Sequence, residues 1–150
     1  AIYGSAGQPN YASAKAGIIA MSMGAAQLLT KYGITCNVIM PRALTDMTAS
    51  GQTAAMFQAP ADGSFHMFDP ANVAPLVGYL SSPEASRISG EVLVVWGNEV
   101  QILQRPTLTG ALVNPQGAKK WEVQDLHTTL ATHYNDSYVS VWGGYSVAPV

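Results

Sequence analysis

From Ala12 to about Lys31 the chain is dominated by small residues: Ala12, Ala14, Ala16, Gly17, Ala20, Gly24, Ala25 and Ala26. No proline interrupts the run, and Gly33 stands just beyond it, where a C-cap glycine belongs. The run therefore predicts one long helix. Glycine costs roughly 1 kcal/mol relative to alanine in a helix interior. Gly17 and Gly24 accordingly imply a compensating close approach, by another helix or by a ligand. Ile34 to Met40 follows as a short apolar run with β-branched members, closed by Pro41. It reads as a buried strand.

Arg42 to Pro70 shows no sustained period and carries Gly, Pro, Ser and Thr throughout. Loops of that length inside compact domains are usually lids or binding loops. Met47, Met56, Phe57, Phe65, Met67 and Phe68 stud it. They either pack the loop onto the domain or form an apolar lid over a substrate. Asp69-Pro70 starts a helix from Ala71 to about Leu80, with Pro75 placed in or near its first turn. Ser89-Gly90 then precedes a second buried strand, Glu91 to Val95. Helix, strand, long loop, helix and strand, at crossover spacing, make an α/β chain with a parallel sheet. Trp121 to Tyr134 offers a further helix, and the last residues read as a loose terminus. Residues 1–97 thus form the domain, and residues 98–150 an extension of uncertain structure. The opening, Ala1 to Pro9, is a loop without an initiator methionine and suggests a segment cut from something longer.

Composition narrows the class of function. Charged residues are only 11% of the chain, against about 25% in typical soluble domains. So little charge implies reliance on partners, either further subunits or a complementing chain. A net charge of -2 offers no basic stripe for nucleic acid. No stretch approaches the roughly 20 apolar residues that span a bilayer, and no signal peptide opens the chain. The single cysteine, Cys36, excludes an internal disulfide, fits a reducing cytoplasm, and reads as a core thiol. His127 and His133 fall on different faces of a helix, and neither they nor His66 join a cysteine or acidic cluster. No metal site is expected.

Tyr11 and Lys15 are four apart at the start of the long helix, so their side chains share a face one turn apart. A phenol titrates near pH 10, too high for a base at neutral pH. A nearby ammonium favours the phenolate. Such a pair can pass a proton to a carbonyl or take one from an alcohol, while the hydride belongs to a cofactor. The spacing by itself also fits an ordinary solvated surface pair.

The surroundings of the pair carry more. Tyr11-Ala-Ser-Ala-Lys15-Ala-Gly17 leads to Asn37-Val-Ile-Met-Pro41, then to Arg42-Ala-Leu-Thr45-Asp-Met47-Thr48. Asp69-Pro70-Ala-Asn-Val73 and Arg87-Ile-Ser89-Gly90-Glu-Val-Leu-Val-Val follow in order. Over residues 1–97 this closely resembles the short-chain dehydrogenase/reductase family, in particular members similar to 3-oxoacyl reductases and hydroxyacyl-CoA or hydroxysteroid dehydrogenases. The resemblance implies the C-terminal portion of a Rossmann-type doubly wound parallel sheet, lacking the N-terminal dinucleotide-binding half. It implies NAD or NADP as cofactor and a small apolar carbonyl or alcohol, acyl or steroid in type, as substrate.

Carried over by residue, the resemblance makes Tyr11 the catalytic acid/base. It makes Lys15 the residue that tunes the tyrosine and holds the nicotinamide ribose. Tyr11 and Lys15, with Pro41, Leu44 and Thr45, would bind the nicotinamide end of the cofactor. Gln8 and Asn10 fall where the family lines its active site, or are plain turn residues; Met47 would meet substrate. The usual glycine after the proline is Arg42 here, and the turn is one residue shorter than in many relatives. The family's serine lies a dozen or so positions before the tyrosine. Ser5 is too close for that role and Ser13 lies on the wrong turn. No glycine-rich strand-turn-helix is present to cradle a pyrophosphate. Two functions follow: an alcohol/ketone oxidoreductase present as a partial chain, or a truncated, catalytically silent chain that acts in assembly or binds a partner subunit.

Overall fold

The computed structural model describes residues 7–50, 54–106, 108 and 110–134. The chain divides into two compact units, residues 1–105 and 106–150. The first opens with helix α1 (Pro9–Leu29), continued by a 3-10 turn, Thr30–Tyr32. It starts earlier than the run of alanines suggests because Pro9 sits in the first turn, where its missing N–H costs nothing. It ends as expected: Gly33 takes φ 72° and its N–H donates to the Thr30 carbonyl at 3.0 Å.

Strand β1 (Val38–Pro41) pairs in parallel with β2 (Val92–Trp96), in the register Val38↔Val92 to Pro41↔Val95. β1 is shorter than the run Ile34 to Met40 because Ser89-Gly90 bends the neighbouring chain. Side chains take over there from the ladder. The Cys36 N–H donates to Ser89 Oγ at 3.2 Å, and the Gly90 N–H to the Cys36 carbonyl at 2.8 Å. Asn37 is the main fastener, since its Nδ2 donates to the Ile88 carbonyl at 2.7 Å and its Oδ1 accepts from the Glu91 N–H at 3.1 Å. Replacing Asn37 by leucine leaves both backbone groups without partners. We expect a loss of about 2–4 kcal/mol, from roughly 1–2 kcal/mol for each of the two part-buried groups left unsatisfied, the lower part of the range for a buried group. Urea unfolding measures it, and a midpoint within error of the parent would refute this role.

The sheet is not purely parallel. A two-residue turn, Gly97-Asn98, leads into β3 (Glu99–Ile102), which runs antiparallel to β2 from Trp96↔Glu99 to Leu93↔Ile102. The order is β1-β2-β3. Gly97 has φ +51°, and no non-glycine residue among those described has positive φ. That is the sign pattern of a II′ hairpin turn, with glycine at its first central position. β2 holds the core: Val92, Leu93, Val94 and Val95 are all buried.

On the loop from Arg42 to Pro70 lies a short helix α2 (Ala54–Phe57), which the irregular sequence pattern does not announce. Phe57 meets Phe68, ring centroids 4.8 Å apart, and His66 Nε2 lies 3.0 Å from the Phe57 carbonyl. The histidine is thereby a loop fastener. Asp69 caps a 3-10 turn, Pro70–Val73, accepting from the Ala71 N–H at 2.8 Å, and α3 (Ala74–Leu80) follows with Pro75 in its first turn.

α1 packs by Ala12, Ser22 and Ala26, which are its buried residues. Beside that face, Tyr11, Ile18, Met21 and Leu28 are exposed. Spacings of seven, three and seven place those four within a band of about 100° along the helix. No atom lies within 4 Å of a Cβ built at Gly17 or Gly24. The close approach anticipated for these glycines is therefore absent among the described residues.

In the second unit, helix α4 (Val123–His133) answers the expectation for Trp121 to Tyr134. Asn114 is buried and organises the turn before it. Its Nδ2 donates to the carbonyls of Lys119 and Lys120, at 3.2 and 3.1 Å. No helix among the described residues is long and apolar enough to cross a membrane.

Candidate active site

α1 runs down to the amino end of β1, so its own N-terminus lies at the carboxyl end of the strand. Tyr11 and Lys15 occupy the first two turns, and the Lys15 Nζ lies 5.5 Å from the centroid of the Tyr11 ring. Both side chains open into a cleft of about 310 Å³. Its other walls are Ile18 and Ile19 from α1 and Val38, Ile39, Met40 and Pro41 from β1. The cleft thus holds one phenol and one ammonium among aliphatic side chains. Apolar walls with few polar groups suit a small organic ligand, and they weaken the competition of water for the charge. Ile18 and Ile19 were not singled out in the sequence. Their spacing from Tyr11 and Lys15 (seven and four residues) was the signal, since it places them on the same side of the helix.

Beyond Pro41 the chain turns. The Arg42 N–H donates to the Val95 carbonyl at 2.9 Å, which carries the ladder one step past β1. Arg42 fills the glycine position without strain, because its φ is not positive. Leu44 donates its N–H to the Phe68 carbonyl at 2.7 Å. The Thr45 N–H donates to Thr48 Oγ1 at 2.7 Å, and Thr48 Oγ1 in turn reaches the Ala43 carbonyl at 3.1 Å. The turn from Ala43 to Thr48 is held by its own hydroxyl and backbone groups and by the Phe68 segment.

Of the residues singled out in the sequence, Tyr11, Lys15 and Pro41 share the cleft, and Leu44 and Thr45 follow in the adjoining turn. Gln8 is an exposed N-cap without a side-chain capping bond, and Met47 is 85% exposed; neither lines the cleft. Asn10 is exposed in the first turn of α1. Ser5 lies outside the described residues. No group of three or more potential metal ligands occurs among those described.

A family model described as enoyl-(acyl carrier protein) reductase matches residues 1–97. The hydroxyacyl-CoA dehydrogenase ChsB1 of Mycobacterium tuberculosis is 36% identical over 136 residues, covering 89% of this chain and 41% of that protein. The 3-oxoacyl-(acyl-carrier-protein) reductase FabG of Vibrio cholerae is 40% identical over 104 residues, covering 66% of this chain and 41% of its own length. A crystal structure of a short chain dehydrogenase from Mycobacterium avium superposes with a TM-score of 0.63 at 28% identity, over 84% of this chain and 36% of that one. The chain therefore spans about two fifths of the length of the curated relatives it matches. Its fold is a C-terminal portion of a Rossmann-type α/β sheet, with an antiparallel strand at one edge. On the match over residues 1–97, the chain belongs to the short-chain dehydrogenase/reductase family.

Proposed function

We propose that the chain is part of an NAD- or NADP-dependent oxidoreductase that interconverts an alcohol and a ketone on an apolar substrate of acyl or steroid type. The observation that carries this reading is the shared cleft: Tyr11, Lys15 and Pro41 around one apolar hollow that runs along β1 as far as its carboxyl end at Pro41. Ligands of open α/β sheets bind outside the carboxyl ends of the strands. The residues present fit a nicotinamide. Pro41 and the aliphatic side chains offer an apolar wall, the turn through Leu44 and Thr45 adjoins it, and Lys15 supplies hydrogen-bond donors for a ribose. Bound there, a nicotinamide would supply or accept the hydride.

The chain's own part is the proton. In reduction, the Tyr11 hydroxyl donates its proton to the oxygen that is becoming an alcohol; in oxidation the phenolate takes it back. Lys15, one turn along, stabilises the negative charge on the tyrosine oxygen. A serine from outside these residues would polarise the carbonyl. Gln8 and Met47, although they do not line the cleft, remain candidates for contacts with the distal part of a substrate. The free Cys36 fits a cytoplasmic protein.

A Lys15→Met variant of the full-length polypeptide tests this assignment. Methionine keeps the stem's bulk and removes the charge. Turnover and dinucleotide affinity are expected to fall together, each by about tenfold or more, which corresponds to one charge-assisted hydrogen bond lost at each step. Steady-state kinetics beside a nicotinamide fluorescence titration reads both, and retention of both values would refute the role.

One observation favours a second reading, a catalytically silent chain that serves assembly. Among the described residues the stripe Tyr11, Ile18, Met21 and Leu28 is exposed, and β1 has no neighbouring strand on its outer side. A second copy or a complementing chain would cover both. Calorimetric titration of this chain with NADH and NADPH, beside light scattering, separates the readings. Assembly without any dinucleotide binding in the complemented protein favours the silent subunit.

A further inference from the structure

We propose that Arg42, set over the ring of Trp96, is a seat for a phosphate group on a ligand of the Tyr11–Lys15 cleft; the proposal rests on the oxidoreductase reading and deepens it. The two residues lie opposite each other, one step beyond the Pro41↔Val95 pair of the sheet. The guanidinium carbon stands 4.5 Å from the centroid of the Trp96 ring. A ring contact of this kind restrains a guanidinium by cation–π attraction without consuming its N–H groups. Among the described residues nothing engages those donors. The ion pairs among the described residues are Arg105 with Glu91, at 2.7 Å, and Lys120 with Glu122, at 3.9 Å. Among the described residues no carboxylate pairs with Arg42, and only its backbone N–H is engaged, by Val95.

Position makes this unused fork a binding group. Arg42 directly follows Pro41, the last residue of the cleft wall, at the carboxyl end of the parallel pair. Arg105 serves as the contrast: its Nη2 is committed to Glu91, and it helps to line a smaller hollow of about 180 Å³ beside Ser89 and Gly90. A planar cation with free paired donors, poised on an aromatic ring, matches two oxygens of a phosphate better than any neutral group. Two ligands of the proposed reaction carry phosphate: the dinucleotide, through its pyrophosphate, and an acyl thioester built on phosphopantetheine.

Arg42→Gln and Arg42→Lys variants of the full-length polypeptide test the seat. Each is assayed with a 3-oxoacyl-CoA and with the N-acetylcysteamine thioester of the same acyl group, which carries no phosphate. Arg42→Gln is expected to raise one KM by about tenfold or more, the loss of a charge-assisted hydrogen bond, with kcat nearly unchanged. Lysine should restore only part, since it lacks the fork. A rise confined to the CoA substrate assigns the seat to the thioester. A rise in the dinucleotide KM, equal with both thioesters, assigns it to the cofactor. Unchanged constants for all ligands overturn the proposal and leave the stack a surface contact. Should the parent protein reduce neither thioester, the oxidoreductase reading fails separately. Calorimetry with CoA and with inorganic pyrophosphate then decides on the seat: tenfold weaker binding by Arg42→Gln supports it, and equal binding or none by the parent overturns it.

Discussion

Tyr11→Phe in the full-length polypeptide is expected to lower turnover by roughly 10²- to 10⁴-fold, the usual contribution of a positioned acid/base, while dinucleotide affinity stays within about twofold. The substitution removes one oxygen and little else. Phenylalanine keeps the ring on which the Lys15 ammonium rests, so the stacked geometry at 5.5 Å persists. Tyr11 is half exposed, so the lost hydroxyl leaves no buried group without a partner. A fall in turnover therefore reports on the proton and not on the fold. Single-turnover reduction beside a fluorescence titration with the reduced dinucleotide provides both numbers. A Tyr11→Phe enzyme with near-normal turnover would remove the phenol from the mechanism, whatever the cleft's shape.

Gly97→Ala should be the most damaging small change to the fold. Gly97 sits at φ +51°, where a Cβ costs roughly 1–2 kcal/mol. A Cβ there would also collide with Met67 Sδ and stand 3.1 Å from both Met67 Cγ and the Met67 carbonyl oxygen. The thioether can swing away, but the carbonyl belongs to the backbone of the loop that carries Phe68. Overpacking of this kind costs about 1–3 kcal/mol, so a total near 2–5 kcal/mol is expected from urea unfolding. The loop is also the one that holds Leu44 by the Phe68 carbonyl, so dinucleotide affinity should weaken in parallel. A Gly97→Ala, Met67→Ala double variant should recover the side-chain part of the loss and keep the backbone part. Equal stability of Gly97→Ala and the parent would show that the hairpin and the loop adjust freely.

Much of the site was legible because it is local. Tyr11 and Lys15 are one helical turn apart, and a helix fixes their common face before any tertiary contact forms. Gly33 marked the end of α1 for the same reason, since only the residue after a helix needs its conformation. What the sequence hid depends on distant partners. Asn37 was visible as part of a motif, but its work, fastening the Ile88 carbonyl and the Glu91 N–H, appears only when residues more than fifty positions away are in place. β3 escaped notice because Glu99 to Ile102 is short and exposed on both faces, so no burial period marks it. Gly97-Asn98 was the available signal. α2 went unseen for the same reason, being four residues long. Gly17 and Gly24 show the converse: the cost of a helical glycine led to the expectation of a close approach, but no described residue beyond the helix comes near them.

The two halves of the sheet differ in how far apart in the chain their strands lie, and this gives its assembly an order in time. Trp96 meets Glu99 across a two-residue turn, whereas Val38 meets Val92 only after the whole loop and α3 have been gathered in between. Closing a long loop carries an entropic barrier that a hairpin does not face. The β2–β3 hairpin can form within microseconds and stand as a template, onto which β1 docks later. Tyr11 and Lys15 reach each other as soon as α1 winds, but Pro41 joins them only at that last, slow step. The cleft is thus completed by the closure of the parallel pair. A ligand that bridges the helix and Pro41 would act as a brake on its reopening.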